Sequence, residues 1–256
     1  MDGPEAAASA AAGQAGVERA GWSDEPGPVF SRAQDPAERR RLLIEVAVVL
    51  ALAALLDTVN ALWVPPDMPT FGFAAESAFI LTRAAQVCVP LLYILHLTGD
   101  GLRGVGLARF VVPVDLVGAV LLVVVTQAVG AVLTGPFYAL LPPEGTEPAS
   151  SEPAAAWHWG LAVVAHAANA LAEELAIWGF LYTRLRRLLG TEGLPMFLAA
   201  GVFASYHVYQ GVAAALLILV LGLVHGVFFR LTGRLMPLVI AHAATNLWSH
   251  VEAGMV

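Results

Sequence analysis

Seven stretches of this chain carry almost no charge and are long enough to be interpreted as helices that cross a lipid bilayer. A helix needs about 20 apolar residues to cross a hydrocarbon core of about 30 Å. The predicted spans are 42–64, 74–97, 114–135, 155–183, 194–210, 212–229 and 235–249. The last three are short and closely joined, so the fifth and sixth are candidates for a bent or re-entrant pair. The predicted fold class is all-α: a polytopic transmembrane helix bundle of about seven spans.

The composition agrees with a membrane protein and excludes several function classes. Hydrophobic residues make up 58% of the chain and charged residues 13%, and the mean hydropathy is +0.73. A soluble domain has about 25% charged residues. The net charge of −7 leaves no basic face for nucleic acid. The single cysteine, Cys88, excludes an internal disulfide framework and a multi-cysteine metal site.

The charge pattern predicts two regions and an orientation. Residues 1–38 are rich in Ala, Gly, Pro, Ser and acids, and are predicted to be a disordered cytoplasmic tail. Residues 39–256 form the predicted transmembrane domain, with a catalytic core at about 155–250. Arginines precede the first span and lie in the connections after spans two, four and six, whereas the opposite connections hold none. The positive-inside rule therefore predicts an integral protein of the cell (inner) membrane, with its N-terminus cytoplasmic and its C-terminus outside.

Two adjacent carboxylates, Glu173 and Glu174, interrupt the fourth span, and His207, His242 and Asn246 lie in later spans. A charge at the bilayer centre costs roughly 2.5–3.5 kcal/mol on insertion scales. Counted from the nearest cytoplasmic connection, Glu173 and the three later residues lie roughly 16, 20, 12 and 18 Å deep at 1.5 Å per residue. Because ionisable residues within spans nearly always face a bundle interior or a water cavity, these residues are predicted to share one cavity.

Helical spacing separates the roles of the two acids. His242 and Asn246 are four residues apart and share one helix face, as do Asn169 and Glu173. Glu174 is turned by about 100° from Glu173, so the two acids aim at different points. Glu173 is therefore the better catalytic candidate, and Glu174 is expected to hold a partner or a ligand.

The residue types predict peptide hydrolysis. A carboxylate in a dry cavity can deprotonate water. Two imidazoles and an amide can bind a metal or donate to the oxyanion that forms when water attacks a carbonyl. Two interpretations stay open: Zn²⁺ held by Glu173, His207 and His242, or a metal-free mechanism that uses the same groups.

The motifs of other intramembrane proteases are missing. There is no HExxH, no GxGD (97–100 is LTGD), and no GxSx element that suits a rhomboid-type serine. The polar residues of the last four spans therefore have to be interpreted on their own pattern.

That pattern resembles one known family. Glu173-Glu174, the run Phe203-Ala-Ser-Tyr-His207 and the run His242-Ala-Ala-Thr-Asn246 match, in order, the EExxxR, FxxxH and HxxxN motifs of the CAAX prenyl protease and bacteriocin-processing family, the type II CAAX proteases. The resemblance covers about residues 160–250 and implies an all-helical intramembrane endopeptidase. In that family the first Glu activates water, while the histidines and Asn complete the site. Carried over, these are Glu173, His207, His242 and Asn246, with Glu174 as the second acid.

One position departs from the family pattern. The usual Arg four residues after the second Glu is Trp178 here, and Arg184, six residues further on, is not an equivalent. The change removes an expected partner of Glu174 and bears on the substrate and on the degree of activity.

The leading prediction is an endopeptidase that processes the terminus of a membrane-associated protein or peptide. The substrate could carry a prenylated C-terminus, a leader peptide or a membrane-anchored sorting tail. Two alternatives remain: a catalytically silent member that acts as an immunity or scaffold protein, which Trp178 favours, and a small proton-linked transporter. The expected partners are the peptide or protein substrate and the lipid bilayer, not nucleic acid.

The predicted spans hold further charged or ionisable residues. Asp57 and Arg83 fall at similar depth, roughly 22 Å from the inner surface, and are expected to form an ion pair between neighbouring helices. Glu45 lies near the inner interface and is expected to reach water. His225, in the sixth span, has no predicted role.

Overall fold

The computed structural model describes residues 32–55, 58, 72–107, 110–141 and 155–253. All regular structure within these ranges is helical, so the predicted all-α class is confirmed. The α-helices are α1 Pro36–Leu50, α2 Phe73–Thr98, α3 Val112–Leu140, α4 Ala156–Glu174, α5 Thr183–Leu189, α6 Gly193–Ser205, α7 Val212–Thr232 and α8 Met236–Ala253. Two π-helical segments, Ala51–Leu55 and Leu175–Tyr182, continue α1 and join α4 to α5. Two short 3₁₀ turns cover Leu102–Val105 and Val208–Gln210.

Four of the described helical stretches are long and apolar enough to cross a membrane: Phe73–Thr98, Val112–Leu140, Ala156–Leu189 and Val212–Thr232. They correspond to the predicted second, third, fourth and sixth spans. The predicted first span runs into residues that lie outside the described ranges. The predicted fifth span is the shorter apolar helix α6, whose 13 residues extend only about 20 Å.

The continuous stretch Ala156–Leu189 forms the centre of the bundle. Its α4 portion packs against α2 and α8, while α3 packs against α7 and α8. All eight residues of the π-helical segment Leu175–Tyr182 are buried, including the large side chains of Trp178, Phe180 and Tyr182. The acid pair therefore stands directly before the most buried segment of the chain.

A buried arginine ties α1 to this central stretch. The Nε of Arg184 lies 2.7 Å from Oε2 of Glu45, and its Nη2 lies 3.0 Å from Oδ2 of Asp100. Glu45 is 3% exposed, so the expectation that it reaches water is wrong: Arg184 closes over it. The guanidinium also lies 4.4 Å from the ring centroid of Phe180.

More exposed ion pairs surround Arg184 at the same end of the bundle. Arg187 pairs with Glu38 at the start of α1, and Arg186 and Arg230 both pair with Glu192. These contacts bring together the start of α1 and the connections after α2, α5 and α7, the ones that the arginine pattern predicts to share one side of the membrane.

The predicted tail, 1–38, falls mostly on residues outside the described ranges. Within the part that the structure describes, the N–H of Ala33 donates to the carbonyl of Arg187 at 2.8 Å, and Ala33 is buried. Helix α1 begins at Pro36, after Asp35, whose carboxylate accepts from the N–H of Ala37 at 3.0 Å. Because Pro has no N–H to lose and Asp is a favoured N-cap, the sequence begins the helix here, three residues before the expected boundary.

Candidate active site

The two adjacent acids differ strongly in exposure. The side chain of Glu173 is 22% exposed and that of Glu174 only 1%. Both lie at the end of α4, where a turn of about 100° between neighbours points one toward a cavity and the other into the bundle.

Glu174 joins two helices through two histidines. Its Oε1 lies 2.8 Å from Nδ1 of His242 on α8 and 3.0 Å from Nδ1 of His225 on α7. An ionised carboxylate only accepts hydrogen bonds, so each Nδ1 donates a proton to the same oxygen. The centroids of the two imidazole rings lie 6.3 Å apart, and the angle between the ring planes is 78°. The buried acid thereby fixes the orientation of both imidazoles.

Glu173 stands on the other side of His242. Its Oε2 lies 3.5 Å from Nε2 of His242, and its Oε1 accepts from Nδ2 of Asn169 at 3.2 Å. Within the described part of the chain, Oε2 is buried and accepts no hydrogen bond. One oxygen of Glu173 is thus held in place while the other stays available.

Glu173 lines a small cavity between the central stretch and α2. The cavity measures about 20 Å³, and its polar lining is Glu173, Asn169, Arg83 and Tyr206. A cavity of this size has room for about one water molecule. The expected pair of Arg83 with Asp57 lies outside the described residues because Asp57 does. Arg83 itself lines the same cavity as Glu173.

His207 follows the end of α6 and reaches the site through aromatic contacts. Its Nδ1 lies 2.8 Å from the carbonyl oxygen of Phe203, so Nδ1 donates and Nε2 keeps its lone pair in the neutral ring. The ring of Phe203 contacts the rings of both His207 and His242, at 4.9 Å and 6.1 Å between centroids. Phe203 therefore links the two histidines of the predicted site.

Asn246 lies one turn beyond His242 on α8 and is half-buried. The structure thus brings Glu173, Glu174 and His242 into direct contact, with Asn246 on the same face of α8 and His207 adjoining through Phe203.

Residues 155–248 match a family model described as type II CAAX prenyl endopeptidase Rce1-like. This part of the chain is similar to that family. We call residues 155–248 the Rce1-like region; it contains both acids, His207, His225, His242 and Asn246. A search of curated proteins and a search of solved structures each gave no match. That family is a protease family. The apolar helices of the chain itself, four of them long enough to cross a membrane among the described residues, indicate an integral membrane protein.

The Rce1-like region departs from the family motif at Trp178, which is 1% exposed. Its ring packs against Gly226 of α7: a Cβ at Gly226 would come within 2.5 Å of two ring atoms. Arg184, the next arginine along the chain, is engaged by Glu45 and Asp100. In the described part of the chain, Glu174 is hydrogen-bonded by His225 and His242.

Among the described residues, no group of three or more His, Cys, Asp or Glu side chains is arranged so that it could hold a metal ion. Glu173, His207 and His242, the set expected for Zn²⁺, do not form such a group, and the two histidines both contact the ring of Phe203.

Sequence reasoning assigned no role to His225 and expected Arg83 only to pair with Asp57. His225 bonds Glu174, and Arg83 lines the cavity beside Glu173. In each case the available signal was an ionisable residue within an apolar span, which is expensive without a partner.

Proposed function

We propose that this protein is an intramembrane endopeptidase in which Glu173 activates water for attack on a peptide bond near the membrane. The observation that carries the proposal is the state of this carboxylate. Asn169 holds Oε1, Oε2 accepts no hydrogen bond from the described residues, and the side chain lines a cavity with room for about one water.

The reaction follows from general-base catalysis. Glu173 takes a proton from the water as the water oxygen attacks the carbonyl carbon, and the C=O electron pair moves onto oxygen. Collapse of this tetrahedral intermediate breaks the C–N bond. The amine nitrogen then receives the proton from Glu173, which returns to its carboxylate form.

The neighbouring groups support these steps. Glu174 holds Nδ1 of His242, and Nε2 of the same ring, 3.5 Å from Glu173, is placed to exchange a proton with that carboxyl group. Asn246, one turn away, offers an amide N–H₂ to the developing oxyanion, the kind of donor that such sites use. His207 adjoins through Phe203 as a second polar contact for the substrate.

We propose a substrate whose terminus is associated with the membrane: a prenylated C-terminus, a leader peptide or a membrane-anchored tail. The cationic end of the bundle is proposed to face the cytoplasm of a cell with an inner membrane, with the C-terminus outside. The arginine pairs gathered at one end of the bundle support this arrangement.

A peptide library tests the proposal. Wild-type protein and Glu173→Gln, each in lipid vesicles, are incubated with farnesylated C-terminal peptides, leader peptides and tail-anchored peptides, and new termini are identified by mass spectrometry. We expect wild type to cleave at least one class and Glu173→Gln to be slower by at least about 10²-fold, because general-base catalysis contributes this much.

Glu192→Gln is the matched control, since it makes the same change in an ion pair at the end of the bundle. It should cleave like wild type. Equal cleavage by wild type and Glu173→Gln would reject Glu173 as the base.

Metal removal separates the two mechanisms that the sequence leaves open. In the metal-free mechanism, exhaustive chelation leaves the cleavage rate unchanged. Loss of activity on chelation, with recovery on adding Zn²⁺, would instead support a zinc ion held by Glu173, His207 and His242.

A second candidate, a catalytically silent immunity or scaffold protein, is favoured by Trp178, which replaces the cation of the family motif. On this alternative neither wild type nor Glu173→Gln releases new termini from any peptide class, although both bind the partner.

A further inference from the structure

Glu174 is the most deeply buried acid of the site, and its surroundings differ from those that the family motif implies. Its side chain is 1% exposed, and two imidazole N–H groups converge on Oε1. One of them, on His242, belongs to the HxxxN motif. The other, on His225, belongs to none of the three motifs.

The family motif places an arginine, the expected cationic partner of Glu174, at position 178, where this chain has a tryptophan. The ring of Trp178 is packed against α7 at Gly226. Gly226 directly follows His225, so the contact that accepts the bulky indole also fixes the part of α7 that carries this histidine. The hydrogen-bond donor that reaches Glu174 from outside the motifs, His225, therefore comes from α7 and not from the central stretch.

We propose that His225 is a positioning residue that replaces the missing arginine: it holds Glu174 in the conformation that orients His242 toward Glu173. A glutamate side chain has three rotatable bonds, and a single hydrogen bond leaves it several arrangements. Two donors from different helices, at 2.8 and 3.0 Å on one oxygen, select one arrangement. The proposal rests on the proposed function, since the orientation of His242 matters only if Glu173 is the base.

His225→Leu and His225→Asn form a matched pair. Leu fills similar space without a donor, whereas the amide of Asn places an N–H₂ near the position of Nδ1. We expect His225→Leu to lower kcat by about 10²-fold, the cost of misplacing a reacting group by about 1 Å, with KM within about threefold of wild type. His225→Asn should recover most of kcat.

His96→Leu and His96→Asn are controls, because His96 is exposed at the end of α2. Rates are measured on the peptide that wild type cleaves and are normalised to folded protein. An unchanged kcat in His225→Leu overturns the proposal. So does an equal loss in His225→Leu and His225→Asn, because that result assigns the histidine a packing role.

A double-mutant cycle tests the contact without any activity measurement. His225→Leu, Glu174→Leu and the double variant are unfolded by SDS in mixed micelles. If His225 donates a hydrogen bond to the charged Glu174, the change in the unfolding constant of the double variant should differ from the product of the two single-variant changes by about tenfold or more. Departure below about twofold overturns the proposal. If wild type and Glu173→Gln prove equally inactive, the proposed function fails, and this cycle alone decides whether His225 holds Glu174.

Discussion

The ion pair between Arg184 and Glu45 allows the docking of α1 onto the central stretch to be measured. The two side chains are 3% and 4% exposed, and Nε lies 2.7 Å from Oε2. Removing one partner of a buried pair costs about 3–5 kcal/mol, because the other charge stays buried without compensation. Asp100, the second partner of Arg184, is 22% exposed and can regain water, so it adds little. Arg41, whose Nε lies 3.5 Å from Oε1 of Glu45 and whose side chain is 38% exposed, compensates part of the charge that remains. We therefore expect Arg184→Met to lower the free energy of unfolding by about 3 kcal/mol, the lower end of this range.

The assay is unfolding by SDS in mixed micelles, followed by tryptophan fluorescence. Arg230→Met is the matched control: Arg230 is 47% exposed and its partner Glu192 34%, so this pair contributes about 0–1 kcal/mol. The double variant of Arg184→Met with Glu45→Met should recover much of the loss, because it leaves no charge buried alone.

Equal losses in the free energy of unfolding for Arg184→Met and Arg230→Met would contradict this prediction. Such a result would mean that water reaches the Arg184–Glu45 pair and that α1 is not docked by it.

Two further changes probe the packing and the base. Gly226→Ala should lower the free energy of unfolding by about 1–3 kcal/mol, because the new Cβ would overlap the ring of Trp178. Gly130→Ala is the control: a Cβ at Gly130 has no neighbour within 4 Å, so this change should be neutral or stabilising. Equal melting temperatures for the two variants would contradict the packing of Trp178 against Gly226. Asn169→Ala should lower kcat about tenfold, the scale of one hydrogen bond to a charged group, since it releases Oε1 of Glu173. An unchanged kcat on the cleaved peptide would show that this bond does not hold the base.

The sequence predicts the helical class and the meeting of Glu173 with His242 for a simple reason. Helix rise is constant, so residues far apart in sequence can be placed at a common depth by counting. Counting gives depth but not the direction in which a helix face points, and it left the partner of Glu174 open.

The π-helical segment explains why His225 was missed. His225 is five residues from Arg230, and Glu174 is ten from Arg184, so an α-helical count separates them by roughly 7 Å. In a π-helix the hydrogen bonds run to the fifth residue, and more residues per turn shorten the rise per residue. Leu175–Tyr182 therefore brings Glu174 closer to the arginine end than the count suggests. No residue type in the segment Leu175–Tyr182 predicts a π-helix.

Glu45 shows a second limit. Its position near the start of α1 predicts contact with water, and its burial arises only because Arg184 and Asp100 close over it from distant parts of the chain. Such a network depends on tertiary packing, which local sequence does not specify.

The eight-residue π-helical segment also constrains how the chain can change in length. Removing one residue between Glu174 and Arg184 would turn everything beyond it by roughly a quarter of a turn relative to the acids, less than the 100° per residue of an α-helix because a π-helix has more residues per turn. If Glu174 retained its hydrogen bonds to His225 and His242, Arg184 would turn away from Glu45. If Arg184 retained its pair with Glu45, the two acids would turn away from the histidines. A side-chain replacement in this segment has a local effect, whereas an insertion or deletion would break either the contacts of Glu174 with its histidines or the pair of Arg184 with Glu45.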